Sequence, residues 1–163
     1  MTRRITRTAL LFALCIILSA VESAFLTLPT LPGVKLGLSN LPVMYSLYTV
    51  NFPLALSLCL ARSLFAFITR GVSAGLLSLA GGGLSVLLMQ LLLKARSSLS
   101  LVSVTGGISH NLGQLVAVGL LWGTSSVISL SPILIISGTV FGILNAVLLK
   151  ATLPYLEKIG GGK

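Results

Sequence analysis

The chain has 163 residues, of which 55% are hydrophobic and 8% charged, with a formal net charge of +9 at pH 7 and a mean hydropathy of +1.09. Because a soluble domain carries roughly a quarter charged residues, this composition excludes a water-soluble domain and indicates an integral membrane protein in a lipid bilayer. The basic residues cluster between apolar runs instead of forming a stripe, which argues against nucleic acid as a partner.

Six apolar runs follow one another along the chain, each bounded by charge, proline or glycine. A helix needs about 20 apolar residues to cross the hydrocarbon core of a bilayer. The runs therefore predict an all-α fold, a single transmembrane domain built as a bundle of about six helices. The predicted helices are 8–28, 36–50, 54–69, 72–93, 99–122 and 131–149.

The second and third runs are shorter than a full span, and Pro42 interrupts the second. They predict either two crossing helices or a re-entrant hairpin that stays on one side. Both alternatives leave the two termini on the same side of the membrane. Since lysine and arginine are enriched on the cytoplasmic side, we predict a multi-pass cell-membrane protein with both termini in the cytoplasm. Its cytoplasmic cations are Arg3, Arg4, Arg7, Lys94, Arg96, Lys150, Lys158 and Lys163, against Lys35 and Arg70 outside.

Small residues stand four positions apart in several of the runs. The pairs are Ala9 and Ala13, Ala20 and Ala24, Gly71 and Gly75, and Gly138 and Gly142. Such pairs allow two helix backbones to approach closely. Each pair predicts either packing within the bundle or the docking of another membrane protein on that face.

Three ionisable residues lie inside the predicted spans, where a charge is costly unless it faces a partner, water or a ligand. They are Glu22 in the first helix, Arg62 in the third and His110 in the fifth. One alternative is a buried ion pair between Glu22 and Arg62. In that case Lys35 and Arg70 remain as positive groups that favour an anionic or strongly polar ligand. Without that pair, Glu22 favours a ligand of the opposite sign.

The fifth helix carries a polar stripe, because His110 and Gln114 are four residues apart on one face and Asn111 lies beside them. These side chains predict hydrogen bonds to other helices or to a ligand. Lys35 and Asn40 add a charge and an amide to a glycine-rich segment before the second helix. The candidate substrate-binding residues are Glu22, Lys35, Asn40, Arg62, His110, Asn111 and Gln114.

The sequence contains few residues of the types that catalyse reactions. The sequence contains two acidic residues, Glu22 and Glu157, one histidine and no aspartate. Paired carboxylates, a nucleophile-histidine-aspartate triad and a Walker motif are therefore excluded. Cys15 and Cys59 have the spacing of neither a redox motif nor a zinc site. We predict no catalytic residue, no metal and no cofactor, in a protein that is not an enzyme.

Several segments resemble the Gx transporter family, which is often labelled heptaprenyl diphosphate synthase component I. They are Ala9-x-x-x-Ala13, PGVKLGLSN at 32–40, LAR at 60–62, SLAGGGLS at 78–85 and HNLGQ at 110–114. That family is similar to the substrate-binding S components of energy-coupling factor (ECF) transporters. The resemblance spans about residues 8–150.

The resemblance implies an S-component-like protein that binds a small-molecule substrate near the outer side, with Lys35, Asn40 and His110 among the contacts. It also implies that Ala9 and Ala13 contact the transmembrane coupling subunit of an ECF module, whose ATPases supply the energy. The synthase label conflicts with the absence of aspartate, since prenyl transfer needs aspartates to hold magnesium diphosphate. Two alternatives are a non-catalytic membrane subunit of a prenyl diphosphate or quinone-pathway enzyme, and a structural subunit of a larger membrane complex.

Overall fold

The computed structural model describes residues 2–25 and 37–160, with side chains placed over 5–24 and 37–155. Within these residues the chain forms six helices joined by short turns, which confirms the prediction of an all-α bundle. The helices are α1 (Thr2–Phe25), α2 (Asn40–Thr49), α3 (Phe52–Arg70), α4 (Val72–Lys94), α5 (Leu99–Trp122) and α6 (Thr124–Gly160). Lys35 and the rest of the 26–36 segment lie outside the described residues.

Four of these helices are long and apolar enough to cross a membrane. The candidate spans are Ile5–Ala24 in α1, Phe52–Arg70 in α3, Val72–Lys94 in α4 and Thr124–Tyr155 in α6. Helix α5 is similarly long, with 24 residues, but His110, Asn111 and Gln114 lower its hydropathy. The length and composition of these helices make the chain a multi-pass membrane protein.

Helix α2 has 10 residues and is about 15 Å long, too short to cross a bilayer alone. It runs antiparallel to α1, because Glu22 contacts the turn before α2 and Arg7 contacts its last residue, Thr49. The chain thus returns from the level of Glu22 to the level of Arg7. Pro42 lies in the first turn of α2 and does not interrupt it, since no backbone donor is needed there.

The bundle has two chemically different ends. The basic end carries Arg7, Lys94, Arg96 and Lys150. Hydrogen bonds from Arg7 to the end of α2 and from Lys150 to the start of α5 bring these helix ends together. The opposite end, where α3 finishes at Arg70, is the cavity end, so named because a polar cavity lies in that part of the bundle.

Helices α4, α5 and α6 pack backbone to backbone. A Cβ added at Gly107 of α5 would lie 2.3 Å from the carbonyl oxygen of Gly138 in α6, and one at Gly113 would lie 2.5 Å from that of Ala80 in α4. Glycine therefore permits the close approach of these helices. The Gly138 and Gly142 pair accordingly packs within the bundle, which was one of its two predicted roles.

Helix α6 is 37 residues long and extends beyond its predicted bounds of 131–149 at both ends. The prediction ended α6 at residue 149 because the next residue, Lys150, is charged. A charge ends an apolar run but does not end a helix, since lysine is a good helix former. The helix also continues through Pro132 and Pro154.

The apolar core fills the half of the bundle nearer the basic end. Its buried members include Leu11, Val43, Leu47, Leu58, Val86, Val102 and Leu149. They come from the first half of α1 and α3, from α2, from the second half of α4, from the start of α5 and from the second half of α6. The half nearer the cavity end has a different interior.

Candidate functional site

A polar cavity occupies the half of the bundle nearer the cavity end. All six of the described candidate substrate-binding residues line it: Glu22, Asn40, Arg62, His110, Asn111 and Gln114. They come from α1, α2, α3 and α5, and residues of α4 and α6 complete the lining. The seventh candidate, Lys35, lies outside the described residues.

The cavity is small, with a volume of about 30 Å³, which is room for about two water molecules. Polar groups from six helices thus converge on a narrow space. A small organic solute would need the surrounding elements to move apart before it fits.

Glu22 organises the start of α2, although it belongs to α1 and is only 2% exposed. Its Oε1 accepts a hydrogen bond from the Leu38 amide at 2.8 Å, and its Oε2 accepts from the amide and the hydroxyl of Ser39 at 3.3 and 2.8 Å. The positive end of the α2 dipole favours the carboxylate at this position. Glu22 therefore fastens the beginning of α2 to α1.

Arg62 is linked to Glu22 through a serine. Its Nη1 donates to Ser39 Oγ at 3.3 Å and also to Asn40 Oδ1. Because the Ser39 hydroxyl gives its one proton to Glu22, it accepts from Arg62. The opposite charges that suggested a direct ion pair are thus joined by an intervening hydroxyl. Space for the guanidinium comes from Gly82 of α4, where an added Cβ would lie 2.8 Å from Arg62 Nη2.

Several polar atoms of the lining have no internal partner. Among the described side chains of the cavity, Arg62 Nε, Arg70 Nε, Gln114 Oε1 and Asn145 Oδ1 are buried without a hydrogen bond. Leaving such a group unsatisfied costs about 1–3 kcal/mol. Two of these atoms are donors on guanidinium groups and two are amide acceptors. The cavity therefore has unused hydrogen-bond donors and unused hydrogen-bond acceptors.

Asn111 has a structural role in addition to its place in the lining. Its Nδ2 donates to the Leu134 carbonyl at 2.5 Å and to Ser137 Oγ at 3.2 Å, both in α6. Of the two outcomes predicted for the polar stripe of α5, Asn111 therefore follows the interhelical one. Gln114 keeps an unpartnered acceptor on the same lining.

Asn145 is a lining residue that the sequence reasoning missed. Its Nδ2 donates to the Gly37 carbonyl at 3.1 Å, which ties α6 to the turn before α2. The available signal was spacing, because Gly138, Gly142 and Asn145 recur at helical intervals and share one face of α6. Arg70, predicted only as a positive group near the outer surface, also joins the lining.

Ala9 and Ala13 lie far from this cavity, on the outward face of α1. Both are exposed, together with Leu10, Leu14 and Ile17. The pair therefore does not pack within the bundle. Its placement fits the other predicted role, a face for another membrane protein.

Comparison with known protein families matches residues 11–152 to the family described as heptaprenyl diphosphate synthase component I. The chain belongs to this family. The component I match begins in α1 and ends in α6, so it includes every described residue of the polar cavity. No curated protein and no solved structure matches the chain.

Proposed function

We propose that the chain is the substrate-binding membrane subunit, or S component, of an ECF-type ATP-driven importer for a small organic solute. The polar cavity carries this proposal, because guanidinium and amide atoms without a hydrogen-bond partner inside an apolar bundle are costly unless a ligand, water or a partner meets them. The role proposed for its residues is binding and not catalysis. Glu22, the carboxylate of the lining, is already engaged by Leu38 and Ser39.

The charge distribution supports an orientation for this importer subunit. Lysine and arginine are enriched on the cytoplasmic side of membrane proteins, and the basic end carries Arg7, Lys94, Arg96 and Lys150. With that end in the cytoplasm, the start of α1 and the end of α6 are cytoplasmic. The cavity then lies in the outer half of the membrane, where a solute enters from outside.

Energy has to come from a partner in this proposal, since the sequence carries no Walker motif. The exposed Ala9 and Ala13 leave room for a helix of the coupling subunit to approach α1 closely. Release of the solute requires the cavity to open, so docking and solute occupancy have to favour different conformations of the bundle.

Co-purification with an ECF module tests the proposal. The wild-type chain, expressed with an ECF coupling subunit and its ATPases, is expected to retain the ATPases through purification. The Ala9→Leu, Ala13→Leu double variant is expected to lose them, because leucine at both positions blocks the close approach. Ala151→Leu, at an exposed position of α6, is the matched control and should retain them.

Two outcomes would count against these expectations. A wild-type chain that retains no ATPase contradicts the importer assignment. A double variant that retains the ATPases as well as wild type contradicts the docking face on α1 and leaves the partner to be found on another face.

A second candidate follows from the family description, which names a component of a prenyl diphosphate synthase. In that role the chain is a non-catalytic membrane subunit that recruits a soluble synthase, and the partner supplies the aspartates that hold magnesium diphosphate. Co-purification of a soluble prenyl synthase in place of ECF ATPases, without a bound solute, would favour this candidate.

A further inference from the structure

We infer that the cavity takes a small organic anion, with a carboxylate or phosphate group, that also carries hydroxyl or amine hydrogen-bond donors. This inference rests on the proposed binding function and names the chemical class of its ligand. It follows from the charge of the lining, from the placement of its two arginines and from the polarity of its unpartnered amides.

The charge of the lining is positive. Arg62 and Arg70 face the cavity together with one carboxylate, Glu22. That carboxylate is engaged by two backbone amides and a hydroxyl at the start of α2, so it does not compensate both arginines. An uncompensated cation inside a membrane protein is costly, and an anionic ligand removes that cost.

The two arginines offer donors at two depths. Arg62 is 4% exposed in the middle of α3, and its Nη1 is held by Ser39 and Asn40 while its Nε remains unpartnered. Arg70 follows eight residues later, about 12 Å further along the helix axis towards the cavity end, and its Nε is also unpartnered. Guanidinium donors match the oxygens of a carboxylate or a phosphate. An anion that enters from the cavity end therefore meets Arg70 first and Arg62 deeper inside.

The unpartnered amide oxygens of the lining require hydrogen-bond donors on the ligand in addition to an anionic group. Gln114 Oε1 of α5 and Asn145 Oδ1 of α6 are buried acceptors without a partner. The assignment of the free atom in Asn145 is consistent, because its Nδ2 already donates to the Gly37 carbonyl. Acceptors are satisfied by O–H or N–H groups of a ligand. The ligand thus presents its anionic group to α3 and its donors to α5 and α6.

Other ligand classes fit the lining less well. A cation would be repelled by Arg62 and Arg70, and a neutral solute would leave their charge uncompensated. An anion without donors, such as sulfate, would leave Gln114 and Asn145 unsatisfied. A hydroxylated or aminated acid satisfies both groups.

The test uses the full chain in lipid nanodiscs. The protein is incubated with a deproteinised small-molecule extract of the expressing cells and their growth medium, and the retained compounds are identified by mass spectrometry after denaturation. The wild-type chain is expected to retain a carboxylate or phosphate compound that bears hydroxyl or amine groups. The mass spectrum also distinguishes a phosphate from a carboxylate.

Matched variants make the test specific. Arg70→Gln removes a cation whose Nε has no hydrogen-bond partner. This variant should lower retention of that compound by about 10- to 100-fold. Arg62→Gln should lower it similarly, but its link to Ser39 also contributes to folding, so Arg70→Gln is the decisive variant. Lys150→Gln removes one cation at the basic end, outside the cavity, and should retain the compound as wild type does.

Each remaining outcome contradicts a different statement. Retention of only neutral or cationic compounds by wild type overturns the anion assignment and leaves the binding function intact. Equal retention of an anion by wild type and Arg70→Gln also overturns it. If wild type retains no compound at all, the proposed binding function fails together with the inference.

Discussion

Divided by helices and not by its two ends, the bundle has two halves that are held together in different ways. In the glycine-packed half, α4 to α6, backbones touch directly, as where Gly107 meets Gly138, and neutral side chains such as Asn111 add hydrogen bonds. In the polar half, α1 to α3, charged side chains join the helices through hydrogen bonds, as where Glu22 and Arg62 meet Ser39. Direct backbone contacts hold two helices in one register. A side chain that forms hydrogen bonds within the bundle is able to form them with a ligand instead. The glycine-packed half therefore forms a tightly packed wall of the cavity, and the polar half supplies its charged groups, Glu22, Arg62 and Arg70.

The largest effect is expected from Gly107→Ala in the glycine-packed half. Its new Cβ would lie 2.3 Å from a backbone oxygen, which cannot rotate away, so we expect a loss near the upper end of overpacking costs, about 3 kcal/mol. Thermal unfolding in detergent measures it. Gly83→Ala is the control, because a Cβ added there meets nothing within 4 Å. Equal unfolding midpoints for the two variants would show that the close approach of α5 and α6 contributes little.

An intermediate effect is expected from Glu22→Gln in the polar half. The variant keeps one oxygen acceptor but loses the charge that holds Leu38 and Ser39, so we expect a loss of about 1.5–3 kcal/mol in unfolding free energy. Ser39→Ala removes only the hydroxyl and should cost less, about 1 kcal/mol. If Ser39→Ala proves the more damaging of the two, the assignment of Glu22 as the group that fastens α2 is wrong.

The smallest effect is expected from Tyr45→Phe at the basic end. Arg7 donates to the Tyr45 hydroxyl at 2.9 Å and lies 5.3 Å from the centre of its ring. Phenylalanine keeps the ring contact and loses the hydrogen bond, so we expect a loss of about 0.5–1.5 kcal/mol. Tyr48→Phe changes a neighbouring tyrosine that is 47% exposed and should leave the unfolding midpoint unchanged. A larger effect of Tyr48→Phe would contradict this reading of the α1 and α2 contact.

The fold was predictable because a bilayer demands that backbone groups be satisfied within each helix, so apolar runs translate directly into helices. Bounds were accurate where a residue ends the helix by its own chemistry. Helix α5 has the predicted bounds, since Ser98 Oγ accepts from the Leu101 amide at its start and Gly123 takes a φ of +85° at its end. The bounds of α6 were missed because the prediction relied on the charge of Lys150, which does not end a helix.

The site was predictable only in part, where a charge inside a span or a cluster of polar residues along one helix marked it. Glu22 and Arg62 stood out because an ionised side chain inside a span needs a compensating group. Ser39 and Asn145 did not, since neutral polar residues are common in packed membrane helices. Their roles depend on contacts across 17 and 108 residues of sequence, with Glu22 and Gly37 respectively, and such contacts follow from tertiary packing alone.

Native mass spectrometry of the intact protein, ejected from lipid nanodiscs, tests most directly whether the polar cavity is a solute site. We expect the wild-type chain to carry a single small molecule as a discrete mass increment. Gln114→Leu, which removes a buried acceptor of the lining, should lose that increment, and Gly83→Ala should keep it. A wild-type chain ejected only in its unliganded mass or with lipid alone would contradict the assignment of this protein as a substrate-binding subunit.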